Sequence, residues 1–250
     1  MDLRWEILAG YWPLFMDGLL TTIELTIVAI VVGLALGALL GLISSSRDAP
    51  RPKSAVVDGL LRVIRAITLA YVTFFRGTPL FVQILLVHFA VMPALVHPDH
   101  GWLLAGDTAR TFRQEYGAFL SGAVALSLNA GAYISEIFRA GIQSIHTGQT
   151  QAAWSLGLTH NQAMRFVILP QAFRRMVPAL VNEGVTLIKD SSLVSAIGLA
   201  ELALAARTVA GAYSRYWEPY LAISAMYLVL TLILSTLAKR LEAPAHLRGR

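Results

Sequence analysis

Asn182, Thr186 and Lys189 recur at three-to-four-residue spacing, and Ser192 continues the row. A helix therefore puts these polar groups on one stripe of an otherwise apolar segment. An ammonium and an amide held that way can meet the carboxylate and amine of a zwitterionic solute. Ionisable groups inside apolar spans are expensive and default to functional candidates. Glu183 falls on the next stripe, towards a subunit interface or a cavity, while Asp190 points away from Lys189. Asn129 is a second mid-span amide, able to donate and accept. Glu136 and Arg139, three apart, can form a helix-surface ion pair, which is a structural role before a ligand-binding one.

Other chemistries lack their residues. No GxxxxGKS/T phosphate loop occurs, since none of Lys53, Lys189 and Lys239 follows a glycine. HExxH and GxSxG are also missing. The histidines (His88, His97, His100, His146, His160, His246) are scattered, and zero cysteines exclude disulfides and thiolate metal sites. No catalytic residue and no metal ligand is expected.

The elements that hold the polar stripe are set by composition. The chain of 250 residues is 56% hydrophobic and 14% charged. Soluble domains carry about 25% charged residues, so lipid is the solvent and the expected fold is an all-α integral membrane protein. Segments of roughly 18 or more apolar residues fall at about Gly18–Ile43, Leu80–Val96, Gly117–Phe138 and Tyr220–Ala238. A fifth, about Met176–Ala200, carries Asn182, Glu183, Lys189 and Asp190. Ala55–Phe75 is apolar but punctuated by Asp58, Arg62 and Arg65. It reads as an elbow helix entering the second span, with a sixth span as the alternative. Arg76-Gly77-Thr78-Pro79 reads as the turn between them, with Pro79 at a helix start.

About five spans put Arg47, Arg51, Lys53, Arg62, Arg65, Arg76, Arg139, Arg165, Arg174, Arg175, Lys239, Arg240, Arg248 and Arg250 on one side. Arg4, Arg110, Arg113, Arg207 and Arg215 fall on the other. This positive-inside bias predicts the N-terminus outside and the C-terminus in the cytosol. The net charge of +5 then reflects orientation, and no nucleic acid partner is needed. The start, MDLRWE, lacks a basic n-region and a cleavage site, so no cleaved signal peptide is expected. Ser44–Ser54 is a polar turn too short to separate domains, and no internal repeat is visible. Tyr213, Tyr216, Trp217 and Tyr220 read as an interfacial belt. On depth, Asn129 lies roughly 18 Å below the outer end of its span and Lys189 roughly 20 Å above the inner end of its own.

Between two spans lies GQTQAAWSLGLTHNQAMRFVILP, Gly148–Pro170, with no Asp or Glu between Glu136 and Glu183. Ordered loops of that length usually bind something. Gly148–Leu156 suits a short helix with small residues Ala152 and Ala153 on its face. Gly157 supplies a left-handed stop, and Thr159 followed by Gln162 makes a capping-box start. Val167, Ile168 and Leu169 lead into the bilayer, with a kink or restart at Pro170.

Here the residues resemble a known family. Gln151, Ala152, Ala153, Gly157, Val167, Leu169 and Pro170 fit the EAA-x3-G-x9-I-x-L-P loop of permease subunits of ATP-binding-cassette importers. FFRGTPLFVQ at Phe74–Gln83, AYISEIFRAGI at Ala132–Ile142, GQ at Gly148–Gln149, LPQAFRRMVP at Leu169–Pro178 and KDSSL at Lys189–Leu193 resemble the polar amino acid permeases, in order. Two departures stand out: Gln151 replaces the family glutamate, and the loop from His97 to Tyr116 is long for the group.

The resemblance implies a type I importer permease fold. One transmembrane domain, core about 18–241, would carry a coupling loop at about 139–175. It implies a homo- or heterodimer in the bacterial inner membrane, forming the pathway between its subunits. Gln151, Ala152, Ala153, Leu156, Gly157 and Thr159 would dock on a dimer of cytosolic ATPase subunits. Those subunits would hold ATP and Mg, with no cofactor on this chain. An extracytoplasmic solute-binding protein would deliver the amino acid. Asn129, Asn182, Thr186, Lys189, Glu183 and Glu136 are the candidate pathway residues, with Lys189 pairing to a carboxylate of the partner subunit as the alternative. Outside the resemblance, two readings stay open. One is an ion-gradient-driven secondary transporter of small polar solutes, using Glu136, Glu183 or Asp190 as proton carrier. The other is a membrane scaffold or sensor.

Overall fold

A computed structural model describes residues 3–45 and 54–242. Its elements are α1 (Glu6–Gly10), α2 (Trp12–Ser45), α3 (Ala55–Gly77), α4 (Leu80–Leu86), α5 (Met92–Leu95), α6 (Gly106–Gln143), α7 (Thr147–Ser155), α8 (His160–Ala163), α9 (Leu169–Asp190), α10 (Leu202–Tyr213) and α11 (Trp217–Glu242). A π-helical turn, Val87–Val91, joins α4 to α5, and another, Met164–Ile168, joins α8 to α9. A 3₁₀ segment, Ser191–Ile197, extends α9 until Gly198 ends it in the left-handed region (φ 83°). No strand occurs among the described residues.

Three helices are long and apolar enough to cross a membrane: Trp12–Ser45, Gly106–Gln143 and Trp217–Lys239. Two bent pairs bring the number to five if each is one span: Ala55–Gly77 with Leu80–Leu95 at 109°, and His160–Ile197 with Leu202–Tyr213 at 51°. The elbow expected at Ala55–Phe75 is α3, and the break falls at Thr78-Pro79. Leu80–Leu95 rises only about 24 Å, short of a hydrocarbon core of about 30 Å, and the 109° break separates it from α3. The positive-inside arguments that use Arg47, Arg51, Lys53, Arg248 and Arg250, the middle of the polar turn (46–53), and the first two residues lie outside the described residues.

The long outer loop expected at His97–Tyr116 is mostly helix. α6 starts at Gly106 rather than Gly117, because Asp107, Thr108, Arg110, Thr111, Arg113, Gln114 and Glu115 lower hydropathy without opposing a helix. Hydropathy marks where lipid ends; backbone hydrogen bonding continues past it. The remaining turn is closed by Trp102 N to Ala94 O (3.1 Å), Leu103 N to Leu95 O (2.8 Å) and Gly106 N to Pro98 O (2.8 Å).

The core is the α2–α6 seam. Gly33, Gly37 and Gly41 recur every four residues on α2 and face Ala130, Ile134 and Phe138 on α6. A Cβ at Gly33 would stand 2.8 Å from the Ala130 Cβ, and one at Gly37 2.5 Å from the Ile134 Cγ2. Small residues at that spacing let two backbones approach, and dispersion replaces the hydrophobic drive that lipid removes. Leu25, Ala29, Ile84, Leu126, Leu187 and Val194 fill the centre. A satellite cluster of Ile142, Ile145, Ile168, Ala172 and Met176 joins the end of α6 to the start of α9. At the opposite end, buried Glu201 caps α10, accepting from Ala203 N and Leu204 N (2.9 Å each) and from the Tyr227 hydroxyl (2.8 Å). Tyr213, Tyr216, Trp217 and Tyr220 are exposed there.

Candidate functional site

The hairpin of α7 and α8 is built locally. The His146 ring accepts from Gly148 N (3.1 Å) and starts α7. Gly157 ends it at φ 82°, in the left-handed region that a Cβ disfavours. Thr159 then closes a capping box, its N–H donating to Gln162 Oε1 (2.8 Å) while its Oγ1 accepts from Gln162 N (3.4 Å).

Gln151, Ala152 and Gly157 are exposed, and Leu156 is 83% exposed. Thr159 is exposed beside them. Ala153 departs from the expectation: it is 3% exposed and faces inward. Adjacent residues on a helix point about 100° apart, so Ala152 and Ala153 cannot share the centre of one face. The outward surface is Gln151, Ala152, Ser155 and Leu156, with Ala153 seating the helix on the protein.

Two tethers hold the start of α9, one to the hairpin and one to the end of α6. Gln171 Nε2 donates to Gln149 Oε1 (3.2 Å) and to Val167 O (2.8 Å). Arg175 Nη1 donates to Ser144 O (2.5 Å), binding α9 to the end of α6. Sequence reasoning singled out GQ and LPQAFRR as motifs but assigned neither tether. The partners lie 22 and 31 residues apart, beyond any helical periodicity.

The other end of α9 carries the polar stripe. Asn182, Thr186 and Lys189 are all exposed, and no ion pair involves Lys189 among the described residues. Glu183 lies on a different face, in a cleft of about 550 Å³ between α6 and α9 lined also by Arg76, Tyr133, Glu136 and Arg175. The structure thus places Glu183 and Glu136 in one cleft, which Asn182, Thr186 and Lys189 do not line. Glu136 makes the expected pair with Arg139, at 3.0 Å to Nε and 2.7 Å to Nη2. It also meets Arg76 at 3.5 Å, and the Arg76 guanidinium lies over the Tyr133 ring at 5.5 Å. The purely structural turn expected at Arg76 therefore also reaches the cleft.

Asn129 is apart from this group. It is 6% exposed and donates to Gln83 Oε1 (3.0 Å) and Phe75 O (3.3 Å). Gln83 Nε2 in turn donates to Phe75 O (2.9 Å) and Thr78 O (3.1 Å). The 109° break strands the last carbonyls of α3, and these two amides satisfy them. Both donors of the Asn129 amide are thus directed at the bend, away from the exposed stripe of α9.

The described helices form a membrane bundle in which an exposed hairpin is bonded to the helix bearing the polar stripe. Residues 58–244 match the family described as binding-protein-dependent transport system inner membrane component, and the chain belongs to that family. It is a multi-pass membrane permease subunit and not an enzyme.

Curated relatives agree over nearly the whole length. The arginine transport system permease protein ArtQ of Bacillus subtilis (strain 168) is 36% identical, over 97% of each chain. The glutamate/aspartate import permease protein GltK of Escherichia coli O157:H7 is 35% identical, over 96% of this chain and 97% of that one. A solved structure described as an amino acid ABC transporter with histidines is 36% identical, with a TM-score of 0.77 covering 98% of this chain and all of that one. The inward-facing methionine transporter MetNI (TM-score 0.68, 20% identity, 92% of this chain and 95% of that one) bears on the fold alone.

Proposed function

We propose that this chain forms half of the translocation pathway of an ATP-driven amino acid importer in a bacterial inner membrane. The observation that carries the reading is mechanical. A single helix, α9, is tied at one end to an exposed hairpin and carries exposed Asn182, Thr186 and Lys189 at the other. Force applied at the hairpin has a direct route to the polar stripe. The amino acid class is supported by relatives whose names specify arginine and glutamate/aspartate.

In this reading the chain acts as one transmembrane domain with its coupling loop at about 139–175. Gln151, Ala152, Leu156, Gly157 and Thr159 meet a cytosolic ATPase that holds ATP and magnesium, with Ala153 supporting that surface from behind. Asn182, Thr186 and Lys189 face the pathway, and Glu136 and Glu183 line its inner mouth. A second permease copy or homologue completes the conduit, and an extracytoplasmic binding protein supplies the solute. Nucleotide-driven closure of the ATPase then biases two global states of the pathway, which is what coupling between sites requires.

The test is uptake into vesicles containing the permease with its co-purified ATPase and binding protein. ATP-dependent amino acid uptake is expected. Uptake that persists without the ATPase and collapses with an uncoupler would replace this reading with a secondary transporter.

A further inference from the structure

We propose that a cavity of about 440 Å³ at the outer start of α6 binds a free amino acid by its carboxylate and ammonium groups. It would be an entry site separate from the α9 stripe, none of whose residues lines it. The inference rests on the reading of the chain as an amino acid importer subunit with the start of α6 outside. His88, His97, Asp99, Arg110, Arg113 and Gln114 supply the polar lining. Pockets for small molecules hold about 300–1,000 Å³, so the volume suits one amino acid.

One helix face builds the positive side. Arg110, Arg113, Gln114 and Gly117 follow three- and four-residue steps along α6, so they share a side and line the cavity together. Ala109, Phe112 and Leu120, on the neighbouring side, pack with Met92, Leu95 and Val96 and hold that face in place. Among the described residues no ion pair within 4.0 Å joins either guanidinium to Asp99, Asp107 or Glu115, and neither donates a hydrogen bond. Guanidinium groups bind carboxylates through paired donors, and these two have theirs to offer.

The rest of the lining supplies acceptors. Asp99 lies in the turn after α5, with His97 Nδ1 at 3.8 Å from its carboxylate. The Ser121 hydroxyl donates to Gly117 O (2.7 Å), so the 3.1 Å bond between Ser121 Oγ and His88 Nδ1 is donated by the ring. That leaves His88 Nε2 to accept. The solute carboxylate then meets Arg110 and Arg113, while its ammonium meets Asp99, with His88 as a second acceptor. Opposite charges that line one cavity without pairing across it match a zwitterion better than a simple anion. Arg110 stands seven residues outward of Gly117, roughly 10 Å, and α6 runs roughly 50 Å from Arg110 to Gln143 at the hairpin end.

The test places the full-length permease in nanodiscs, without ATPase or binding protein, and titrates glutamine with saturation-transfer NMR as the readout. Saturable binding is expected. Arg113→Gln should weaken it about fivefold or more, while Glu115→Gln, on another face of α6, should leave it intact. Should Arg113→Gln fail to fold, Asp99→Asn in the exposed turn decides. It should weaken glutamine by a similar factor and leave the deaminated acid of glutamine unaffected, because only the ammonium meets Asp99. No saturable binding, equal affinity in Arg113→Gln and Glu115→Gln, or an Asp99→Asn variant that binds glutamine like wild type would overturn the proposal. Glutamine bound by a permease whose uptake needs no ATPase would sink the proposed function and leave this inference standing. ATP-driven uptake by a permease without such binding would do the reverse.

Discussion

Gln171, in the first turn of α9, donates its side-chain amide to Gln149 of α7 at 3.2 Å, joining the hairpin to the helix that carries Lys189. The bond is exposed, and an exposed hydrogen bond contributes about 1 kcal/mol or less to stability. Its value is in alignment. Gln171→Leu should leave the thermal midpoint nearly unchanged while lowering the ratio of solute transported to ATP hydrolysed several-fold. Paired uptake and ATPase assays on one vesicle preparation measure that ratio.

Gly157 separates backbone demand from surface demand. Its φ of 82° suits Gly and is tolerated by Asn and Asp. Gly157→Asn should therefore stay near wild type, and Gly157→Asp should lose ATP-driven uptake with insertion intact. Equal loss in both variants would assign the defect to the turn and remove the docking argument.

Lys189 has no ionic partner among the described residues of its own chain. Lys189→Met should raise the transport KM about tenfold, equivalent to about 1.4 kcal/mol of lost solute binding, without lowering the thermal midpoint. A drop in midpoint with KM unchanged would instead show that Lys189 pairs with the second subunit.

Asn129 and Gln83 act together on the carbonyls freed by the bend. Asn129→Leu leaves Gln83 Oε1 and part of the Phe75 carbonyl's bonding unmet, at a cost of about 1–3 kcal/mol. Adding Gln83→Leu should cost less than the sum of the singles, because both mutations break one network. Unfolding of the four variants in detergent gives the cycle.

At the α2–α6 seam, Gly37→Val would drive a side chain into Ile134. Overpacking of this kind costs about 1–3 kcal/mol. Ile134→Ala should recover part of it, read as thermal midpoints of the single and double variants.

Class, approximate spans, the helix over Ala55–Phe75 with its turn at Arg76–Pro79, and the hairpin caps could all be read from the chain. Each depends on interactions within a few residues: an apolar run, a proline, a Gly stop, a Thr and Gln three apart. Ala153 was misread because adjacent residues were assigned one face. The bond from Asn129 to Gln83 was not legible, because burial depends on what packs opposite and Gln83 lies 46 residues away. The first turns of α6 were missed because a polar stretch can be helical beyond the lipid.

Solvent preference and local hydrogen bonding are properties of neighbouring residues, so the linear order of side chains specified the membrane helices and the hairpin between them. Which amides close the bend, which glycines admit a neighbouring helix, and which glutamine ties the hairpin to α9 were settled by folding. These contacts join residues far apart in the chain, and their energies exist only once the helices have packed.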